Sequence, residues 1–194
     1  MYLQEKFPSD FILHKNNITI KQAKIDDLMY IWSASKEEPK GLVTCRPIAA
    51  RGYDSTKKLF LRKMENPNIC FFVISLFDSP IGKISFSDYN SRNRSVEIGY
   101  SLLPAFRNHG YMTSALKLLI SYVFENTDIN KVYAQTASFN DSSIKLLENL
   151  GFFRDACLRE HHEQNGLLYS DFIYSILASD YRRNGLPDLI NKHK

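Results

Sequence analysis

Cysteine is scarce in this chain of 194 residues: Cys45, Cys70 and Cys157 are odd in number and far apart. That spacing excludes a disulfide framework and the paired thiols of a zinc site, and it fits a reduced, cytoplasmic setting. No metal centre is expected. Long hydrophobic runs are missing too. The longest mainly apolar stretch, residues 69–77, contains Ser75 and falls far short of the roughly 20 residues that span a membrane. It reads as a buried strand. The first residues lack a basic-then-apolar arrangement and a small-residue cleavage site, so no signal peptide is read there. Nor does one sign of charge dominate. With 25 Lys and Arg against 21 Asp and Glu the net charge is +4, and the basic residues are dispersed rather than gathered into a stripe with aromatics. Neither nucleic acid nor a membrane is expected as a partner.

The composition, 44% hydrophobic and 24% charged, is that of a soluble globular protein. The length suits a single domain with a sizeable core, read as residues 1–180, followed by a polar tail over 181–194 that holds Gly185 and Pro187. Residues 18–20 alternate like a short strand. Ile25, Leu28, Met29 and Trp32 then recur at i, i+3, i+4 and i+7, an amphipathic helix. Pro39, Gly41, Pro47 and Gly52 break any pattern across 36–55, which reads as a loop over the site, before a helix near 55–65. Residues 70–77 and 81–87 read as a hairpin turning at 78–80, and 95–103 as a third strand. Within that strand Val96, Ile98 and Tyr100 share one face, and Glu97, Gly99 and Ser101 the other, more polar one. A helix through Met112, Leu116, Leu119, Ile120 and Val123, a strand at 131–137, and a helix from near Asn140 to Gly151 follow. Two long strands, 152–164 and 167–177, meet at Asn165-Gly166, a strong hairpin signal. The order predicts an α/β fold around a mixed sheet of about seven strands.

Between the strand at 95–103 and the next helix lies Arg107-Asn108-His109-Gly110-Tyr111-Met112. A turn containing Gly110 lets the backbone approach a ligand, and the unpaired N–H groups of the helix's first turn then form an anion cradle. Arg-x-x-Gly-Tyr-Met after a strand resembles the acetyl-CoA pyrophosphate loop, Arg/Gln-x-x-Gly-x-Gly/Ala, of the Gcn5-related N-acetyltransferases (GNAT), with Met112 replacing the usual small residue. A second stretch, Asn140-Asp-Ser-Ser143 running on to Gly151-Phe152, is similar to that family's Asn-x-x-Ser/Ala…Gly-Phe helix. Helix capping by Asn140 and a helix stop at Gly151 account for the same residues without a ligand.

The resemblance covers nearly the whole chain. It implies a three-layer GNAT fold whose mostly antiparallel, twisted sheet has two central strands that splay apart to admit the donor. It also implies a set of contacts to acetyl-CoA: the backbone of Ser101, Leu102 and Leu103 with the pantetheine amides, residues Arg107, Asn108, His109, Gly110, Tyr111 and Met112 with the pyrophosphate, and Asn140 with the pantetheine arm. Many family members carry a tyrosine in the later helix as the acid for the departing thiolate. Here that position is Leu147, a departure that points to the RimJ/RimL-like branch, where the serine three residues after the asparagine, here Ser143, takes this role.

Two residues are candidates for the base. Glu97 lies on the polar side of its strand. His162 stands where that branch places a glutamate, and an imidazole is well suited to proton transfer near neutrality. Strand alternation groups His162 with Glu160 and sets His161 on the opposite face. Nothing near Cys157 in sequence marks it as an activated nucleophile. The reading is an acetyl-CoA-dependent N-acetyltransferase in which a primary amine attacks directly in a ternary complex. A protein N-terminal amine is the leading acceptor; amino sugars and polyamines, or a non-catalytic acyl-CoA sensor, are the alternatives. The acceptor pocket is expected from residues 30–55 and the 160–170 hairpin, and the paired C-terminal strands are compatible with a homodimer.

Overall fold

The computed structural model describes residues 1–35 and 52–186. The loop expected over the site therefore lies almost wholly outside the described residues, as do residues 187–194 of the tail. The strands are β1 (Ile12–Lys15), β2 (Ile18–Gln22), β3 (Cys70–Leu76), β4 (Ser79–Asn90), β5 (Ser95–Leu102), β6 (Lys131–Ala137), β7 (Phe153–Gln164) and β8 (Leu167–Leu177). The helices among the described residues are α1 (Ile25–Ala34), α2 (Tyr53–Met64), α3 (Tyr111–Asn126), α4 (Asp141–Asn149) and α5 (Ala178–Asn184).

All eight strands form one sheet in the order β1-β2-β3-β4-β5-β6-β8-β7. Every neighbouring pair is antiparallel except β5 and β6. The mixed α/β architecture is as expected, with one strand more. β1 is the addition: its residues are mostly exposed, so it has no alternating apolar signal, and it joins β2 through Asn16, held at φ 53°. The first long hairpin turns at Phe77 and Asp78, both at positive φ, with Leu76 opposite Ser79. The turn thus falls earlier than 78–80, and Pro80 lies inside β4 beside a register shift at Ile74/Ser75. The Asn165-Gly166 turn is as expected, with both residues at positive φ and Gln164 opposite Leu167. Residues from Tyr181 to Asn184 are helical, part of α5, and the Tyr181 ring lies 5.5 Å from that of Phe124.

Alternation along the strands divides the core between the two faces. Phe72, Ile74, Ile84, Phe86, Val96 and Ile98 pack with Leu116, Leu119, Ile120 and Val123 of α3 and with Leu147 of α4. Val73, on the other face of β3, packs with Leu28 and Met29 of α1 and Phe60 of α2. Three layers result. The central feature is where the two parallel strands part. β5 and β6 pair only at Ser95 with Lys131, Val96 with Val132 and Glu97 with Tyr133. Beyond that, β5 continues beside β4 to Leu102 and β6 beside β8 to Ala137. A wedge opens between them, as the sequence implied.

Candidate active site

One wall of the wedge is β5. In an extended strand successive residues turn their N–H and C=O to opposite edges. The Ser101 carbonyl lies towards Gly82 of β4, and the Leu103 N–H donates to Ile81 at 2.9 Å. The residues of the other parity, Tyr100 and Leu102, therefore turn their backbone groups to the wedge. Of the three expected to meet the pantetheine amides, only Leu102 has this orientation, and its carbonyl accepts from Arg107 Nε and Nη2 at 3.1 and 3.0 Å. Arg107 thus braces the end of β5 where the chain leaves it through the short turn Pro104–Phe106.

The cradle follows. Asn108 at φ 62° and Gly110 at φ 76° bend the backbone into α3, for which Gly110 is the N-cap. A Cβ at Gly110 would meet nothing within 4 Å. Glycine is therefore required there for its dihedral, and the space in front of the helix is open. Asn108, His109 and Gly110 are exposed, and the His109 and Tyr111 rings stack at 5.6 Å. Met112 belongs to the core, so only its backbone N–H faces the cradle. The first-turn N–H groups of α3 lack intrahelical partners and carry the positive end of the helix dipole, a setting suited to a pyrophosphate.

Facing β5 across the wedge is the start of α4. Asn140 caps it, its side-chain oxygen accepting from the Ser143 N–H at 3.2 Å. That oxygen is used by the helix itself. Ser143 Oγ lies 2.8 Å from the hydroxyl of Tyr100. Tyr100 was not singled out from the sequence, where alternation assigned it to the apolar face of its strand.

The two base candidates lie on the opposite face of the sheet from Ser143. Register carries this face from Glu97 to Tyr133, then along Gln135 and Ala137 to Asp171 of β8 and Leu158 of β7. β7 then bulges, with Glu160 at φ 51°, and resumes with His162 opposite Tyr169. Strict alternation fails at the bulge: His162 is buried, while Glu160 and His161 are both exposed. The common face for Glu160 and His162 expected from alternation is not kept across the bulge. His162 instead meets Asp171, with Nδ1 3.7 Å from Oδ1. Asp171 is fully buried and accepts at Oδ2 from Gln135 Nε2 at 2.7 Å. Neither His162 Nδ1 nor Asp171 Oδ1 has a hydrogen-bond partner. At 3.7 Å the two groups are in contact without a hydrogen bond. The Phe139 ring packs edge-on against the imidazole at 5.3 Å. Asp171 and Gln135 also escaped the sequence reading, although a lone acid inside the apolar run 167–177 was the available signal.

Lys83, on the face shared with α2, lies 4.9 Å from the Phe60 ring centroid, and its amine is lowered to about 8 by burial and by the neighbouring charge of Lys63. Cys70 is buried and its thiol is pushed up to about 12, which leaves it inert. Among the described residues no cluster of three or more His, Cys, Asp or Glu could hold a metal ion, and no helix is long and apolar enough to cross a membrane.

Comparison with known proteins decides what this wedge belongs to. The acetyltransferase (GNAT) domain matches residues 18–153. The chain belongs to the GNAT acetyltransferase family. It is an N-acetyltransferase, similar to the uncharacterised N-acetyltransferase p20 of Bacillus licheniformis, with 26% identity over 87% of this chain and 97% of that protein. Among solved structures, the ribosomal L7/L12 α-N-protein acetyltransferase RimL in complex with coenzyme A superposes with a TM-score of 0.79 at 17% identity, covering 88% of this chain and 99% of that one. Spermidine N-acetyltransferase from Vibrio cholerae, in complex with CoA and spermine, gives 0.78 at 20% identity, over 87% and 99%. At these identities the likeness of this acetyltransferase to both is one of fold.

Proposed function

We propose that this N-acetyltransferase takes acetyl-CoA as donor and transfers the acetyl group to a primary amine by direct attack, with a protein N-terminal amine as the acceptor. The observation that carries the donor is the wedge beyond Glu97 and Tyr133, which ends at a helix N-terminus opened by a left-handed glycine. Gly110, Tyr111 and Met112 would hold the pyrophosphate by backbone N–H groups, and Tyr100 and Leu102 would line the pantetheine arm. Bound acetyl-CoA supplies an activated acetyl thioester. Ser143 donates a hydrogen bond where negative charge develops on sulfur. On the other face His162, oriented by Asp171, takes the proton from the amine, with Glu97 as the second group able to do so.

The acceptor follows from how much base is available. An α-amino group with a pKa near 7.8 is about one-seventh neutral at pH 7, whereas a lysine amine near 10.4 is neutral only about once in 2,500. A single histidine–aspartate pair suffices for the first. Lys63 and Lys83 put positive charge on the sheet face that also carries Glu97, which disfavours a polycationic acceptor.

Thermal unfolding with acetyl-CoA, CoA and ATP in parallel tests the donor. At 100 times the dissociation constant either CoA form adds about 2.7 kcal/mol, a Tm rise of about 5–11 °C for a chain of this size. No rise at millimolar CoA removes the donor assignment. An amine panel of N-terminal peptides, amino sugars and polyamines then decides the acceptor, and turnover confined to amino sugars or polyamines overturns the N-terminal reading.

A further inference from the structure

Ser143 offers a departing thiolate an aliphatic hydroxyl, a much weaker acid than a thiol. It does not stand alone. The Tyr100 hydroxyl lies 2.8 Å from Ser143 Oγ, and the two side chains reach each other from opposite walls of the wedge. Tyr100 sits on β5 three residues past Glu97, its last pairing with β6. Ser143 sits in the first turn of α4, the helix that follows β6. Their contact spans the splay on the face that α3 and α4 cover. The strand face that carries Tyr100 is otherwise built from Val96, Ile98 and Leu102, and Tyr100 alone among them carries a hydroxyl. The dipole at the start of α4 further favours negative charge beside Ser143. An ordinary phenol pKa of about 10 lies within two units of a thiol's, about 8.5, so a phenol can share its proton with a thiolate through an intervening hydroxyl.

We infer that Tyr100 stabilises the departing CoA thiolate through Ser143. When the C–S bond breaks, its electron pair stays on sulfur. Ser143 donates a hydrogen bond to that sulfur, Tyr100 donates to Ser143 Oγ, and the thiolate so held takes its proton from solvent. Tyr100 is thus a positioning residue: its hydroxyl acts on the sulfur through Ser143 and not by direct contact. This inference rests on the acetyl-CoA reading above, and its test separates the two.

The test titrates the thiol of enzyme-bound CoA by thiolate absorbance and needs neither acceptor nor turnover. In the unmodified protein the bound thiol is expected to titrate about one pH unit below free CoA, a tenfold gain in thiolate at a given pH. Tyr100→Phe and Ser143→Ala should each return it towards the free value, and the double variant should go no further. A thiol that titrates identically in the unmodified protein and in Tyr100→Phe overturns the inference. Should Tyr100→Phe fold poorly, 3-fluorotyrosine at position 100 keeps the ring and is a stronger acid; it should lower the thiol pKa further, and no movement again overturns the relay. Absence of CoA binding by the unmodified protein sinks the donor reading itself, a result distinct from bound CoA with an unshifted thiol.

Discussion

Gly82→Ala tests whether the end of β5 is held where the donor needs it. A Cβ at Gly82 would lie 2.5 Å from the Ser101 carbonyl oxygen and 2.6 Å from Leu102 Cδ2. The leucine methyl can rotate away. The carbonyl cannot, because it belongs to the ladder in which Lys83 faces Ser101 and Gly82 faces Leu102. Restoring ordinary contact requires β5 to recede by about 0.9 Å. Overpacking of this kind costs about 1–3 kcal/mol, which lowers Tm by about 2–12 °C at this chain length. The displaced segment is also the wall of the wedge and the anchor of Arg107, so CoA affinity should fall as well. Differential scanning calorimetry and CoA titration calorimetry on one sample read both effects. Gly99→Ala is the control in the same strand pair: its Cβ would meet only the rotatable Ser85 hydroxyl, at 3.0 Å, and Tm should hardly change. A Gly82→Ala protein with unchanged Tm and unchanged CoA affinity would refute the reasoning.

Two further outcomes are expected. The Lys83 amine is lowered to about 8 from 10.5 by burial, then by Lys63, so the unfolded chain binds more protons between those values and stability rises with pH across that window. Below about pH 8 the cost is fully present, about 1–2 kcal/mol after allowing for the partly exposed side chain; Lys83→Met should raise Tm at pH 7 and abolish the rise, and melts at pH 7 and 10 that match the unmodified protein would contradict this. Asp171→Asn should reduce kcat/KM for the amine by at least about tenfold at pH 7, and His162→Ala with Asp171→Asn should cost little more than His162→Ala alone, because groups acting as one unit are non-additive. Steady-state kinetics showing additive losses would separate the two residues.

The parts of the fold that were legible in the sequence are those in which a single element carries its own pattern. α3 could be read from Met112 to Asn126 because its buried positions recur at helical spacing, and the β7–β8 hairpin from the Asn165-Gly166 dihedral requirement. β1 could not, since a strand exposed along most of its length has no alternation to detect. The helix starts beside the candidate site were legible as local motifs, at Gly110 and Asn140, whereas contacts that depend on registry between distant strands were not. Tyr100 looked like a core residue until α4 was seen to bring Ser143 to it. Alternation put His162 on one face with Glu160, whereas across the bulge in β7 it meets Asp171. A long-range contact leaves no mark on the alternation of a single strand, and the bulge breaks an alternation that the all-polar run 159–164 does not display.

The three residue pairs that join β5 to β6 make the sheet two half-sheets on a narrow hinge: β1 to β5 on one side, β6 to β8 on the other. Their remaining edges, Ile98–Leu102 and Ala134–Ala137, carry backbone groups with no strand between them. A molecule lying along both edges would act as a removable cross-link between the halves. Without it, the joint between the halves falls to those three pairs and to the core that α3 shares with Val96 on one side and Val132 and Tyr174 on the other.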